Sequence, residues 1–247
     1  MTFSEIELTI DAAVATITFD RPEALNAITP TMLAELNIAA SRVADDPSLR
    51  VVVLTGRGRA FSAGVDLKAL GERDLVNGKV GDILDLPARA FTTTLSTMAK
   101  PVIAAVNGFC FTGALEIALA CDLIVIADEA KLGDTHAKFG LRPTWGMTQR
   151  LPALVGLARA RELSYTARTF TGIEAVEMGL AVRSAPADQF AQMVAELTAE
   201  ILPNSSESMG AYKALYRQQK PLDDGLAAEY GADFPFSDTD ERLADFR

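Results

Sequence analysis

The stretch PVIAAVNGFCFTGALE, residues 101–116, contains the pattern that decides the fold. It starts with a wholly apolar run over Val102–Val106, which is typical of a strand covered on both faces. Gly108 and Gly113 follow, and the apolar segment after Gly113 predicts a helix. A buried strand, a glycine turn and a helix start in this order indicate an α/β protein.

A second stretch, VVVLTGRGRAFSAGVDLK at residues 51–68, repeats this order and predicts another helix start after the glycines. Glycine allows close approach of the backbone to a ligand, and the first N–H groups of a helix point outward. Two such donors, converging on one carbonyl oxygen, would stabilise an enolate. Either stretch alone is better explained by an ordinary strand-to-helix turn, but two in series weaken that explanation and point to an oxyanion hole.

The flanking segments extend the α/β pattern. Alternating apolar and polar residues at 6–10 and 14–19 predict a hairpin, and the apolar run at 123–127 predicts a third buried strand. Thr29 and Pro30 are typical of an N-cap and a first helical residue, for a helix reaching about Val43.

The last part of the chain has a different pattern, without further strands. Amphipathic helices are predicted at 190–202, 205–217 and 222–230. Such a region covers the core or mediates oligomerisation, and the pattern leaves both open.

Composition excludes several classes of protein. The 33 acidic and 23 basic residues give a formal net charge of −10, which opposes nucleic-acid binding. Only Cys110 and Cys121 are present, both in apolar runs, so we expect reduced core thiols and no metal site. We also expect a cytoplasmic protein with no membrane association, because the chain has neither a targeting pattern nor about 18 consecutive apolar residues.

Several motifs together resemble the enoyl-CoA hydratase/isomerase, or crotonase, superfamily. They are RPEALNA at 21–27, AFSAGVDLK at 60–68, VNGFCFTGALE at 106–116 and TGIEAVEMGLAV at 171–182. The resemblance covers nearly the whole chain. It implies an α/β fold with a ββα spiral core at residues 1–190 and a helical C-terminal trimerisation region at 191–247.

The resemblance also implies a function. It predicts an acyl-CoA thioester as substrate, no separate cofactor because coenzyme A is part of that substrate, and homotrimers or homohexamers. It assigns the oxyanion-hole donors to the backbone N–H groups of Val65 and Gly113.

The predicted acid–base residues depart from the family pattern. Glu116, about one turn into the helix, takes the position of one of the two glutamates of family hydratases. His136, the only histidine, takes the position of the other. Asp134 is interpreted as the N-cap of a short helix. Hydration of a 2-enoyl-CoA is the expected reaction, while isomerisation, hydrolytic or retro-aldol cleavage, and acyl-CoA binding without turnover are left open.

The remaining predictions concern ligand binding. Arg21 and Lys68 are candidates for the phosphates of coenzyme A, with Ala63, Asp66 and Leu67 as further contacts. Phe111 and Trp145 are candidates for the acyl pocket, although large apolar residues more often belong simply to the core. The segment 71–86 is predicted to be a lid over the acyl chain.

Overall fold

Two sheets of mainly parallel strands form the centre of the computed structural model, which describes residues 2–68 and 76–218. The six-stranded sheet has the order β1 (Ile6–Asp11), β2 (Val14–Phe19), β3 (Val51–Gly56), β5 (Val102–Val106), β7 (Leu123–Ala127) and β10 (Arg183–Ala185). The four-stranded sheet has the order β4 (Ala60–Ser62), β6 (Phe109–Phe111), β8 (Lys131–Gly133) and β9 (Phe170–Thr171). Only the β1–β2 and β8–β9 pairs are antiparallel among them.

Helices connect and cover these strands. In chain order they are α1 (Pro30–Asp45), α2 (Asp82–Thr97), α3 (Gly113–Ala118), α4 (Met147–Val155), α5 (Leu157–Thr166), α6 (Gly172–Glu177), α7 (Phe190–Ile201) and α8 (Ser206–Tyr216). Short 3-10 helices lie at Pro22–Ala24, Val76–Gly78 and His136–Phe139.

The repeating unit is two strands followed by a helix. The longer strands β3, β5 and β7 adjoin one another in one sheet, and β4, β6 and β8 do so in the other. The successive pairs are β3 with β4, β5 with β6 and β7 with β8, and each pair adds one strand to each sheet before the next helix. This arrangement is the predicted ββα spiral. The sequence pattern did not reveal β4, β6 and β8, because three residues are too few to show a periodicity.

The predicted hairpin and first helix are confirmed. β1 and β2 pair in register from Ile6 opposite Phe19 to Asp11 opposite Val14. The Thr29 hydroxyl accepts the Met32 N–H at 2.9 Å and so caps α1, which continues two residues beyond the predicted end at Val43.

The C-terminal helices α7 and α8 also occur where the pattern predicts them. The predicted boundary between residues 190 and 191 falls within α7, whose Phe190 and Met193 belong to the main hydrophobic cluster. α8 is held by the buried Lys213, whose Nζ donates to the carbonyls of Leu95 and Lys100 and to Asp122. The predicted helix at 222–230 lies outside the described residues.

The prediction of a lid over residues 71–86 is wrong for its final part. α2 begins at Asp82, with Leu84, Asp85 and Ala88 on its buried face. Residues 71–75 lie outside the described part of the chain. Among the described helices, none is long and apolar enough to span a membrane.

Candidate active site

A cavity of about 110 Å³ brings the two glycine-rich stretches together. Its lining combines Val65 of the first stretch, Gly113 and Glu116 of the second, and His136 and Trp145 from later segments. A larger groove, of about 730 Å³, lies beside α8 and is lined by residues such as Tyr212 and Lys213. None of the predicted site residues lines that groove, so the smaller cavity is the candidate active site.

Close packing at Gly64 explains why the two stretches converge. Gly64 has a φ of +92°, and a Cβ there would lie 2.3 Å from the Thr112 hydroxyl and 2.9 Å from the Phe111 carbonyl oxygen. Only glycine fits such a contact and such a backbone angle without strain. The neighbours of Gly64 and Thr112, which are Val65 and Gly113, consequently lie at the same cavity.

The two predicted N–H donors arise in different ways. Gly113 is the first residue of α3, as predicted. Val65 is not in a helix but forms an isolated parallel bridge with Ile28, and the residues that follow Lys68 lie outside the described part of the chain. Ile28 donates to the Gly64 carbonyl at 2.8 Å and accepts the Asp66 N–H at 2.9 Å. Within the described residues, no acceptor is found for the N–H groups of Val65 and Gly113.

Glu116 is a buried carboxyl group, with 1% of its surface exposed. Its Oε1 accepts the backbone N–H groups of Trp145 at 2.9 Å and Met147 at 3.0 Å. Burial raises the pKa of Glu116, although these two hydrogen bonds and His136 oppose the shift. Because Oε1 is occupied by two donors, a proton on Glu116 belongs on Oε2.

His136 lies between two carboxyl groups. Its Nδ1 is 2.6 Å from Asp134 Oδ1, and its Nε2 is 3.6 Å from Glu116 Oε2. A carboxylate at this distance requires the proton on Nδ1, which leaves Nε2 directed toward Glu116. The Nδ1–H tautomer of His136 is thus assigned from its hydrogen bond to Asp134.

Asp134 is itself fixed by Ser164 of α5, whose hydroxyl donates to Oδ2 at 2.7 Å. Burial opposes the charge on Asp134, but hydrogen bonds from His136 and Ser164 outweigh it and hold the pKa of this carboxyl below its usual value. The predicted short helix is present at His136–Phe139, but its cap residue is Thr135 rather than Asp134, whose Oδ1 nevertheless accepts the His136 backbone N–H at 3.3 Å. The cluster is thus a chain from Ser164 through Asp134 and His136 to Glu116.

The other predicted binding residues divide into two groups. Ala63 and Leu67 line the cavity, but Arg21, Asp66 and Lys68 are not among its lining residues. Arg21 forms an ion pair with Asp66 at 3.0 Å and donates to the Ala27 carbonyl at 2.6 Å.

The two acyl-pocket candidates are also separated. Trp145 lines the cavity, whereas Phe111 of β6 does not and stacks on Phe109, with ring centroids 6.1 Å apart. Asp85, which the sequence analysis missed, accepts the Trp145 indole N–H at 2.8 Å. An acidic residue on the apolar face of α2 was the available signal for it.

The described residues contain no group of three or more His, Cys, Asp or Glu side chains that could hold a metal ion. Burial raises the pKa of both thiols, Cys110 and Cys121, so they stay protonated. Among the described residues, the acid–base groups that line the cavity are Glu116 and His136, and Asp134 contacts His136 from outside it.

Comparison with known proteins identifies the family. The sequence profile of the enoyl-CoA hydratase/isomerase family matches residues 9–237. The chain belongs to this family. The predicted family and fold class are confirmed, and so is the prediction of an enzyme of the hydratase/isomerase type.

Three relatives of this family member illustrate the similarity. A protein of Mycobacterium bovis named as a probable enoyl-CoA hydratase is 34% identical, over 100% of this chain and 96% of its own. The enoyl-CoA hydratase of Bacillus anthracis has a TM-score of 0.87 at 32% identity, covering 92% of this chain and 88% of that one. A Thermobifida fusca structure in complex with CoA has a TM-score of 0.81 at 32% identity, covering 98% and 94%.

Proposed function

We propose that this protein is an enoyl-CoA hydratase, which adds water reversibly across the double bond of a 2-enoyl-CoA thioester. The observation that carries the proposal is the 3.6 Å separation of Glu116 Oε2 and His136 Nε2 in the cavity that Val65 and Gly113 also line. Acid–base groups and oxyanion donors are thereby available to one substrate. The names of the relatives support the same reaction.

The first part of the proposed mechanism is an oxyanion hole. The N–H groups of Val65 and Gly113 would donate to the thioester oxygen, where negative charge develops as the β-carbon is attacked. Fixed donors in a site with little water stabilise such a charge strongly, and losing one costs about 10²–10³-fold in kcat in comparable enzymes.

The second part is the placement of water. A separation of 3.6 Å is too long for a hydrogen bond, but one water molecule can contact both Glu116 Oε2 and His136 Nε2. In the proposed step, the water oxygen bonds to the β-carbon and its proton passes to Nε2. The proton of Glu116 passes from Oε2 to the α-carbon, and transfer of a proton from His136 to Glu116 restores the starting state.

A second candidate reaction is hydrolysis of the thioester. The Asp134–His136 contact favours it, because an imidazole oriented by a carboxylate is a common device for activating a nucleophile toward a carbonyl carbon. The two reactions differ in product. Hydrolysis releases free coenzyme A, whereas hydration leaves the thioester intact.

The experiment is an assay of the wild type with crotonyl-CoA, in which the 3-hydroxy product, the shifted double bond and the free thiol are measured separately. Formation of 3-hydroxybutyryl-CoA, with a large loss of kcat in His136→Ala, is the expected result. Free thiol as the main product would favour hydrolysis. Loss of activity in Glu116→Gln only would leave His136 structural, and binding without any product would favour an acyl-CoA-binding protein.

The proposal extends to ligand and assembly. Ala63 and Leu67 would contact coenzyme A at the cavity, and Lys68, which is exposed, is a better phosphate candidate than Arg21, whose charge is paired with Asp66. Coenzyme A enters as part of the substrate, and no further cofactor takes part. The trimer or hexamer and the cytoplasmic location stay predictions, and light scattering would measure the oligomeric state.

A further inference from the structure

Glu116 receives both of its donors from the turn that starts α4. Its Oε1 accepts the N–H groups of Trp145 at 2.9 Å and Met147 at 3.0 Å, and Met147 is the first residue of that helix. Between the two donors lies Gly146, the N-cap residue, with a φ of +119°. Because both donors flank one residue, the position of the Glu116 carboxyl group depends on how firmly this turn is held.

Arg150, in the first turn of α4, holds this turn at two points. Its backbone N–H donates to the Gly146 carbonyl at 3.0 Å, and its Nη1 donates to the Trp145 carbonyl at 2.7 Å. These carbonyls belong to the two peptide groups that join Trp145 to Met147, and the second of these groups also carries the Met147 N–H. The side chain of Arg150 therefore fixes one peptide plane, and its main chain fixes the next.

The guanidinium group packs directly against Gly146. A Cβ on Gly146 would lie 2.2 Å from Arg150 Nη1, so any other residue there would have to displace the guanidinium group. Its positive φ is also one that glycine adopts without strain. Gly146 is therefore what allows Arg150 to reach the Trp145 carbonyl.

Arg150 also acts on Glu116 through its charge. Burial lowers the pKa of Arg150, and the negative charge of Glu116 opposes this shift. Because an interaction between two ionisable groups acts on both, the guanidinium group favours the charged form of Glu116. The other ionisable groups that interact with Glu116 are His136, which lowers its pKa, and Asp134, which raises it.

We propose that Arg150 is a positioning residue, which holds the turn at 145–147 so that both N–H groups stay on Glu116 Oε1 and Oε2 remains the oxygen that carries the proton. The proposal rests on the function proposed above and adds a residue that does not line the cavity. Without the guanidinium group, the Trp145 carbonyl loses this donor and the turn is less firmly held. A misplacement of about 1 Å at a reacting group costs about 10²-fold in rate.

The test compares Arg150→Met and Arg150→Lys with the wild type in the hydration of crotonyl-CoA, with kcat, KM and the pH–rate profile measured for each. For Arg150→Met, we expect kcat to fall about 10²-fold with KM little changed. The alkaline fall of kcat should move to higher pH, because the Glu116 carboxylate loses a nearby cation and well-placed donors, which stabilise its charged form. Arg150→Lys keeps the charge but not the planar fork, so its values should lie between those of Arg150→Met and the wild type.

Two further variants complete the design. Gly146→Ala retains Arg150 but displaces its guanidinium group from the Trp145 carbonyl, so kcat and the alkaline fall should change in the same directions as in Arg150→Met. Arg159→Met is the matched control, because Arg159 on α5 is exposed, pairs with Glu162 and does not line the cavity. It should retain the kcat and the pH–rate profile of the wild type.

The outcomes separate this proposal from the proposed function. An active wild type whose kcat and alkaline fall are unchanged in Arg150→Met would overturn the role of Arg150 and leave the hydratase function standing. A lower kcat with an unmoved alkaline fall would also overturn it, because Arg150 would then act only through stability. A wild type that does not hydrate crotonyl-CoA or longer 2-enoyl-CoA thioesters would overturn both proposals. If Arg150→Met does not fold, Gly146→Ala decides by the same two measurements.

Discussion

Two buried ionisable groups, Glu116 in the cavity and Lys213 in α8, differ in how completely their polar atoms are hydrogen-bonded within the protein. Burial shifts the pKa of each toward its neutral form, upward for Glu116 and downward for Lys213. Lys213 Nζ has three acceptors, including the Asp122 carboxylate at 2.7 Å. Glu116 has both donors on one oxygen, and its other oxygen faces His136 at 3.6 Å.

We infer from this difference that Lys213 has a structural role and that Glu116 takes part in proton transfer. The Nζ of Lys213 uses all three of its protons within the protein, so it ties α8 to the core and has no proton to exchange with a substrate. Glu116 is held firmly through Oε1, while Oε2 remains available for proton transfer. The comparison predicts that changes at Glu116 alter the rate and changes at Lys213 alter stability.

The largest expected effect is that of Glu116→Gln. The amide retains an oxygen for the N–H groups of Trp145 and Met147 but does not transfer a proton. We expect kcat to fall about 10³–10⁴-fold, at the upper end for general acid–base catalysis. Steady-state kinetics with crotonyl-CoA measure kcat, and a thermal melt measures the stability of the variant. A variant with full kcat would refute the role of Glu116 in proton transfer.

Asp134→Asn should have the next largest effect. A neutral amide at 2.6 Å no longer fixes the Nδ1–H tautomer of His136 or stabilises positive charge on its ring. We expect kcat to fall about 10²–10³-fold with KM little changed, less than the roughly 10⁴-fold known for the equivalent change in a serine protease triad.

The matched control for this variant is Asp122→Asn, which makes the same substitution away from the cavity. It should lose stability and retain kcat. Equal losses of kcat in Asp134→Asn and Asp122→Asn would show that Asp134 acts only through stability.

Lys213→Met should change stability without changing chemistry. The variant removes the donor to two carbonyl groups and to Asp122, whose side chain is 29% exposed and therefore partly screened by water. We expect the free energy of unfolding to fall by about 2 kcal/mol. Urea denaturation measures this change, and a fall in kcat of the folded variant would contradict the comparison.

The smallest expected effect is a pH dependence of kcat. Because burial raises the pKa of Glu116, its protonated form, which donates to the α-carbon in the proposed mechanism, persists above the usual pH range. In the hydration direction, kcat should therefore fall as the pH rises through this raised pKa. The ionisable groups that interact with Glu116 are His136, Asp134 and Arg150. A pH–rate profile in which Glu116→Gln keeps the same alkaline fall would assign that fall to another group.

Much of the fold could be predicted because its signals are local. The buried runs of β3, β5 and β7, the Thr29 cap of α1 and the periodicity of α7 and α8 were all present in short stretches of sequence. The pairing of Val65 with Ile28 could not be predicted, because it is a contact distant in sequence. The predicted lid was wrong over residues 82–86, because these residues form the start of α2, which packs its apolar face against the core.

The sequence alone determined the α/β class and the two glycine-rich stretches, and it named Glu116 and His136 as candidate acid–base residues through its resemblance to the family. Only the tertiary structure decided that Asp134 orients His136, that Trp145 rather than Phe111 lines the cavity, and that Arg21 is paired with Asp66. The physical reason is the range of the interactions. Caps, turns and buried runs depend on neighbours in the chain, whereas a hydrogen bond such as Trp145 to Asp85 exists only after separate elements have packed together.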